Sequence, residues 1–412
     1  MKNSKLQKQI TYTLSIIAAL LTSCNNVGSS KPINPTIPIS IGSGMNGDGI
    51  NTMYISVTLC KDSTGVRCET IDNIILDTSS FGLKINRSAL TESFITTLSK
   101  VKLNDDQMIY ACNTFGSGYV FASEYYASLN LANSYTNNVV VQIIENSPTA
   151  EIPDSCLAKG PFDDFSNFGA NGIIGVNPAL TLANDSILMY KKNIKGIYES
   201  LTFAEESQIP ILNQNPLTSF KNNNNGFVIS IPQVIQNTNT NVIGEMVLGI
   251  NTAQNNQLTN QTNIVKASES NLSTVCNSAC FYSQINNPES TIPAVFDSGT
   301  NGWVFMSNTI PQCIYGYCPD QPVLWSSMVY SYNFASNESY QVTAIITPDE
   351  TYDGQDLSFS VMPHWGYYNY NNETLYGSPF FFGKNVYVIF PTKTNQNPSW
   401  GFESYESLVH TN

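Results

Sequence analysis

The chain has 412 residues, 42% of them apolar and only 12% charged, with a formal net charge of -13. That is enough apolar material for more than one core and too much, with 11% aromatics, for a disordered chain; the acidic balance disfavours nucleic-acid binding. Only two histidines are present, His364 and His410, so a zinc helix of the H-E-x-x-H type is excluded and a Ser–His or Cys–His nucleophile would have to use one of them.

The first nine residues carry Lys2, Lys5 and Lys8 without an acid, and a short apolar run follows at 10–21. That run is too short to span a bilayer and has the pattern of a cleaved signal peptide over 1–23. It ends in Leu21-Thr22-Ser23-Cys24, which resembles the bacterial lipobox. The resemblance implies acylation (palmitate) of Cys24 and a lipid anchor as the chain's membrane contact. Asn25 after the cysteine then points to the outer rather than the inner membrane of a bacterial envelope. Residues 24–46 are rich in Asn, Ser, Gly and Pro and read as the lipidated cysteine and a flexible tether.

Beyond the tether, strand signals dominate. Short or alternating apolar runs occur at 52–59, 71–76, 138–144, 226–231, 245–250, 293–296 and 385–390, separated by Asn, Gly, Ser and Pro clusters. Helical patterns are short, at 88–98 and 195–205. Nine cysteines less Cys24 leave an even number in an exported chain, which favours disulfides. About a hundred pairings are open to them. Short spacings suggest Cys60–Cys68, Cys276–Cys280 and Cys313–Cys318, leaving Cys112 with Cys156. No metal ligand set and no cofactor motif is recognised.

The chain repeats itself loosely. Residues 71–85 run IDNIILDTSSFGLKI and residues 291–305 run TIPAVFDSGTNGWVF. Each is an apolar run followed by an acid and small hydroxylated or glycine residues. Gly172-Ile173-Ile174-Gly175-Val176 follows the first, and Phe380-Phe381-Phe382-Gly383 the second. Two such modules imply two related lobes. If the lobes meet about a pseudo-two-fold axis, Asp77 and Asp297 come together. Two adjacent carboxyls cannot both ionise easily, so they share a proton. One can then take a proton from water while the other gives one to a carbonyl.

These features together resemble the pepsin family of aspartic peptidases over most of 46–405. Asp77-Thr78-Ser79-Ser80 and Asp297-Ser298-Gly299-Thr300 resemble its two active-loop motifs. Ile173-Ile174-Gly175 and Phe381-Phe382-Gly383 resemble its two hydrophobic-hydrophobic-glycine motifs, so Gly175 and Gly383 would be structural glycines beside the active loops. Thr114-Phe115-Gly116-Ser117-Gly118 resembles its flap tip, with Phe115, Gly116 and Ser117 over the substrate. The resemblance implies a mainly β, bilobed pepsin-like acid protease fold with two β-barrel-like lobes and a cleft between them. The N-terminal lobe would be 47–222, the C-terminal lobe 223–405, and 406–412 a tail. Asp77 and Asp297 would be catalytic. Thr78 and Ser298 would cross-bond the active loops, and Ser80 and Thr300 would bond the outer carboxylate oxygens. The expected protein is a monomeric endopeptidase on a peptide or protein substrate, without cofactor or nucleic acid. Ser79 in place of a glycine and Phe115 in place of a tyrosine keep open the alternative of a non-catalytic binding or inhibitor lipoprotein on the same fold.

Overall fold

The computed structural model describes residues 31–405 apart from 47–48, 105–106, 146–151, 183–186, 194, 269–278, 287–288, 314–315, 334–338, 349–358, 370 and 394–395. The export segment, Cys24, Cys276 and the tail from 406 lie outside the described residues.

The chain is mainly β and bilobed. Its base is a run of antiparallel strands shared by both lobes. Ile37–Gly42 pairs with Val242–Leu248, which pairs with Gly226–Ile231. The run continues through Lys384–Ile389 and Ser399–Ser404 to Asn263–Lys266. Gly226–Ile231 is buried at every position, which is why, Ser230 apart, it reads as an apolar run rather than an alternating one.

This base overturns the expected tether. Residues 31–46 are docked rather than free. Ile37, Ile39 and Ile41 alternate inward on their strand, and Ile37–Gly42 also pairs with Thr52–Cys60 of the N-terminal lobe. Upstream, the Asn34 side chain donates to the Leu248 carbonyl at 3.0 Å, and Lys31 donates to the Asn251 carbonyl at 3.1 Å. The period-two isoleucines set the strand, and the Pro and Ser between them disguise it as linker.

In the N-terminal lobe, Thr52–Cys60 and Cys68–Asp77 form a hairpin closed by the Cys60–Cys68 disulfide. The long strands Gly118–Leu131 and Ser134–Ile144 pair over most of their length. Seven strands make the C-terminal sheet, in the order Ser339–Ile346, Val323–Tyr330, Phe281–Asn286, Glu289–Phe296, Thr374–Tyr376, Trp303–Phe305, Gly366–Tyr368. Val323–Tyr330 alternates between buried and half-exposed positions along its second half, as a sheet with one solvated face should.

Disulfides join Cys112 to Cys156 and Cys313 to Cys318. Cys280 is also disulfide-bonded, its expected partner Cys276 lying outside the described residues. The helical expectations shrink. The stretch 88–98 holds the 3-10 turn Arg87–Ala89 and the single turn Glu92–Ile95. The stretch 195–205 holds the strand Tyr198–Ser200 and the start of the helix Phe203–Glu206. These segments are too short for helix propensity to sustain without packing.

Candidate active site

Asp77 ends the strand Cys68–Asp77 beside a tight crossing of three segments. Gly172–Val176 runs parallel to that strand, with Gly175 opposite Asp77. It also runs antiparallel to Phe81–Asn86, with Gly175 opposite Gly82. A Cβ on Gly175 would lie 2.2 Å from the Phe81 nitrogen, so only glycine lets the three segments pass. Thr78, Ser79 and Ser80 form the loop left between them.

The second lobe repeats this arrangement with a different glycine. Thr374–Tyr376 runs parallel to Glu289–Phe296 and antiparallel to Trp303–Phe305. Asp297 donates its backbone N–H to the Tyr376 carbonyl at 2.9 Å. A Cβ on Gly377 would meet the Gly302 carbonyl oxygen at 2.2 Å and that of Thr300 at 2.5 Å. Leu375-Tyr376-Gly377 therefore takes the place that the sequence reading gave to Phe381-Phe382-Gly383. Gly383 is a turn glycine at φ 71°, bonded to the Ile231 carbonyl at 3.0 Å where the chain enters Lys384–Ile389. The phenylalanines serve the core instead, Phe380 stacking on Phe296 with ring centroids 4.1 Å apart.

Two hydroxyls tie the loops together reciprocally. Thr78 Oγ1 donates to the Phe296 carbonyl at 2.8 Å and accepts from the Ser298 N–H at 3.0 Å. Ser298 Oγ donates to the Leu76 carbonyl at 2.6 Å and accepts from the Thr78 N–H at 3.1 Å. Both acids sit on the floor this makes, Asp77 5% and Asp297 6% exposed.

Around the carboxyls the two loops differ. The Ser79 N–H donates to Asp77 Oδ1 at 2.8 Å, and the Gly299 N–H to Asp297 Oδ1 at 2.9 Å. Thr300 Oγ1 donates to Asp297 Oδ2 at 2.6 Å, as expected of it. Ser80 does not do the same for Asp77. Its buried Oγ finds no partner among the described residues, while Ser79 Oγ reaches Asp77 Oδ1 at 3.1 Å. Ser79 is absent from the residues at positive φ, so its side chain costs no backbone strain. At the matching position a Cβ on Gly299 would lie 2.7 Å from Asp77 Cγ. Burial and the neighbouring Asp77 charge push the Asp297 carboxyl up to about 7, with bonds from Thr300, Ser79 and Gly299 pulling the other way.

Phe115, Gly116 and Ser117 form the tip of the hairpin between Gln107–Phe115 and Gly118–Leu131. The Cys112–Cys156 bridge anchors this hairpin. The Phe115 ring meets Phe165 edge-on at 5.1 Å, whereas a Cβ on Gly116 would touch nothing, so the tip is open.

Sequence reasoning passed over several residues placed around the acids. Tyr367 lies close enough to Asp297 that burial and that charge hold its phenol proton well above the usual range. Its hydroxyl donates to Asn301 Oδ1 at 2.8 Å. Asn51, from the first lobe, donates to the carbonyls of Asn301 at 2.7 Å and Met362 at 2.8 Å and so ties the lobes beside the second loop. The aromatic run at 362–368 was the only signal for Tyr367; Asn51 had none. Trp303 is core, its Nε1 donating to the Pro363 carbonyl at 3.1 Å. Among the described residues no three His, Cys, Asp or Glu side chains gather as a metal site.

Among solved structures, the chain is similar to the aspartic proteinase from Irpex lacteus. The TM-score is 0.53 at 12% identity, with 92% of this chain and 99% of that chain covered. At that identity the likeness shows the fold, which is pepsin-like. No curated protein matches the chain. The chain belongs to the family described as "Protein of unknown function (DUF3443)", whose model matches residues 31–403.

Proposed function

For this member of the family we propose aspartic-type endopeptidase activity, in which water activated between Asp77 and Asp297 hydrolyses a peptide bond of a chain lying in the cleft. The observation that carries the reading is the reciprocal bonding of Thr78 and Ser298, which brings the two acids so close that one charge raises the other carboxyl. In the one-proton state, the ionised carboxylate takes a proton from water as the oxygen attacks the carbonyl carbon. The protonated carboxyl gives its proton to the carbonyl oxygen. The tetrahedral diol then returns one hydroxyl proton to the now ionised acid. The other acid passes its proton to the departing nitrogen, the C–N bond breaks, and the pair is back at one proton.

An extended substrate suits a cleft between two β lobes, and Phe115 supplies an apolar cover without a donor. The proposed setting is the bacterial envelope, with the lobes held by acylated Cys24. Incubation with a mixed peptide library, followed by sequencing of new termini, tests the activity between about pH 3 and pH 7. Wild type should generate new termini, and Asp77→Asn and Asp297→Asn should not. New termini from both Asn variants would remove the acids from the mechanism. A folded wild type with none at any pH would turn the reading to a non-catalytic groove.

A further inference from the structure

The outgoing flap strand Gln107–Phe115 changes character along one face. Successive side chains of a strand alternate, so Ile109, Ala111, Asn113 and Phe115 share the face opposite the bridged Cys112. Ile109 and Ala111 enter an apolar cluster with Leu212. Asn113 is also buried, yet it carries an amide where a leucine would extend that cluster. The amide is bonded at both ends. Asn113 Oδ1 accepts from Asn213 Nδ2 at 2.7 Å, and Asn113 Nδ2 donates to Gln142 Oε1 at 3.2 Å.

These bonds belong to a line of five side chains, none more than 3% exposed. At one end the Lys84 ammonium donates to Asn213 Oδ1 at 3.2 Å and to the Phe81 carbonyl at 2.7 Å, where the chain leaves the first active loop. At the other end Gln142 Nε2 donates to Glu124 Oε1 at 3.0 Å. Register ties the same groups a second time. Lys84 on Phe81–Asn86 lies opposite Gln142 on Ser134–Ile144, and Gln142 lies opposite Glu124 on Gly118–Leu131. Each amide accepts at its oxygen and donates from its nitrogen, so turning any one over would set donor against donor. The line is therefore ordered along its length. It fastens both flap strands, the outgoing one at Asn113 and the returning one at Glu124, to the strand that leaves the first active loop.

The tip rests on the same support. Two of the three Lys84 donors are spent on Phe81 and Asn213, and the Phe115 ring stands over the ammonium with its centre 5.7 Å away, within reach of a cation–π contact. Phe165 meets that ring edge-on. On the returning strand the Tyr119 N–H donates to the Pro161 carbonyl at 2.9 Å.

We propose that Asn113 and Lys84 are positioning residues for the flap: the buried line holds the hairpin in one place beside the first active loop and seats Phe115, so that a peptide meets a standing flap instead of drawing one down. The use of the flap on a substrate rests on the peptidase reading, whereas the bracing of the hairpin does not.

Hydrogen exchange of the full chain tests the brace without turnover. In wild type, the amides of 109–113 and 119–124 should exchange as slowly as those of the hairpin formed by Thr52–Cys60 and Cys68–Asp77. In Asn113→Leu and Lys84→Met the flap amides should exchange about tenfold faster or more, with that hairpin unchanged. Wild-type rates at the flap in both folded variants, or an equal rise in the hairpin, would overturn the proposal. Where neither variant folds, wild type decides: flap amides that exchange within seconds while the hairpin stays protected would show that nothing braces the flap. In a peptidase assay each variant should raise KM about tenfold and leave kcat within about threefold, because a loosened cover loses binding rather than chemistry. A fall in kcat at unchanged KM would also overturn the positioning role. Failure of wild type to cleave counts against the peptidase reading alone and leaves the exchange rates to decide.

Discussion

The two active loops are built alike underneath and differently on top. Below the acids, Thr78 and Ser298 make matching pairs of bonds across the lobe boundary, and Gly175 and Gly377 each leave room for a strand to cross. Above, the first loop carries Ser79, whose hydroxyl bonds Asp77. The second carries Gly299, where a Cβ would strike the same Asp77 carboxyl. A two-fold frame can therefore hold two acids in chemically unequal surroundings.

Substitution of the two unequal positions should break this comparison most sharply. Gly299→Ala forces a methyl against Asp77 Cγ, and displaced acids should lose about 100-fold or more in kcat/KM. Ser79→Gly removes a hydroxyl without a clash and should stay within about tenfold. Equal losses in a peptidase assay would mean that the loops are not asymmetric in the way described.

The raised Asp297 carboxyl gives a pH signature of stability. A group whose proton is held more tightly folded than unfolded adds stability that is complete below the unfolded value, about pH 4, and is lost as pH rises through the folded value. For Asp297 that loss should run from about pH 4 through about pH 7. Denaturant unfolding of wild type should show a decline on the order of 4 kcal/mol across this window that Asp297→Asn lacks. Parallel curves for the two proteins would contradict the burial and charge argued for Asp297.

The smallest effects sharpen the symmetric half. Ser298→Ala strips the acceptor from the buried Thr78 N–H, and Thr78→Val strips that of Ser298. Each should lower stability by about 1–2 kcal/mol, and by similar amounts. Thermal unfolding of both variants that differed several-fold would show that one lobe carries the junction alone.

Much of this frame was readable in the sequence. Strands buried on both faces, such as Gly172–Val176 and, apart from Ser230, Gly226–Ile231, appear as apolar runs. Asp77 ends, and Asp297 follows, a strand whose last residues are buried. The strand Ile37–Gly42 was hidden because Pro38 and Ser40 give a linker composition to a period-two pattern. The flap strands were hidden because Asn113, Ser123 and Glu124 are buried where apolar residues would have marked the inner face. The glycine beside the second loop was misplaced because Phe381-Phe382-Gly383 is the more apolar stretch, whereas Tyr376 buries a hydroxyl that bonds Ser283 and Ser327. The buried bonds that run from Asn213 through Asn113 and Gln142 to Glu124 join residues far apart in the chain, and only folding brings them together.

The central claim, that one acid from each lobe performs a single task, is tested most directly by comparing peptide cleavage by Asp77→Asn, Asp297→Asn and the double variant. Groups that act as a unit are not additive, so each single variant should lose nearly all activity and the double variant no more than either. Losses that multiply in the double variant, or a single variant that still turns over, would show that the two carboxyls work apart.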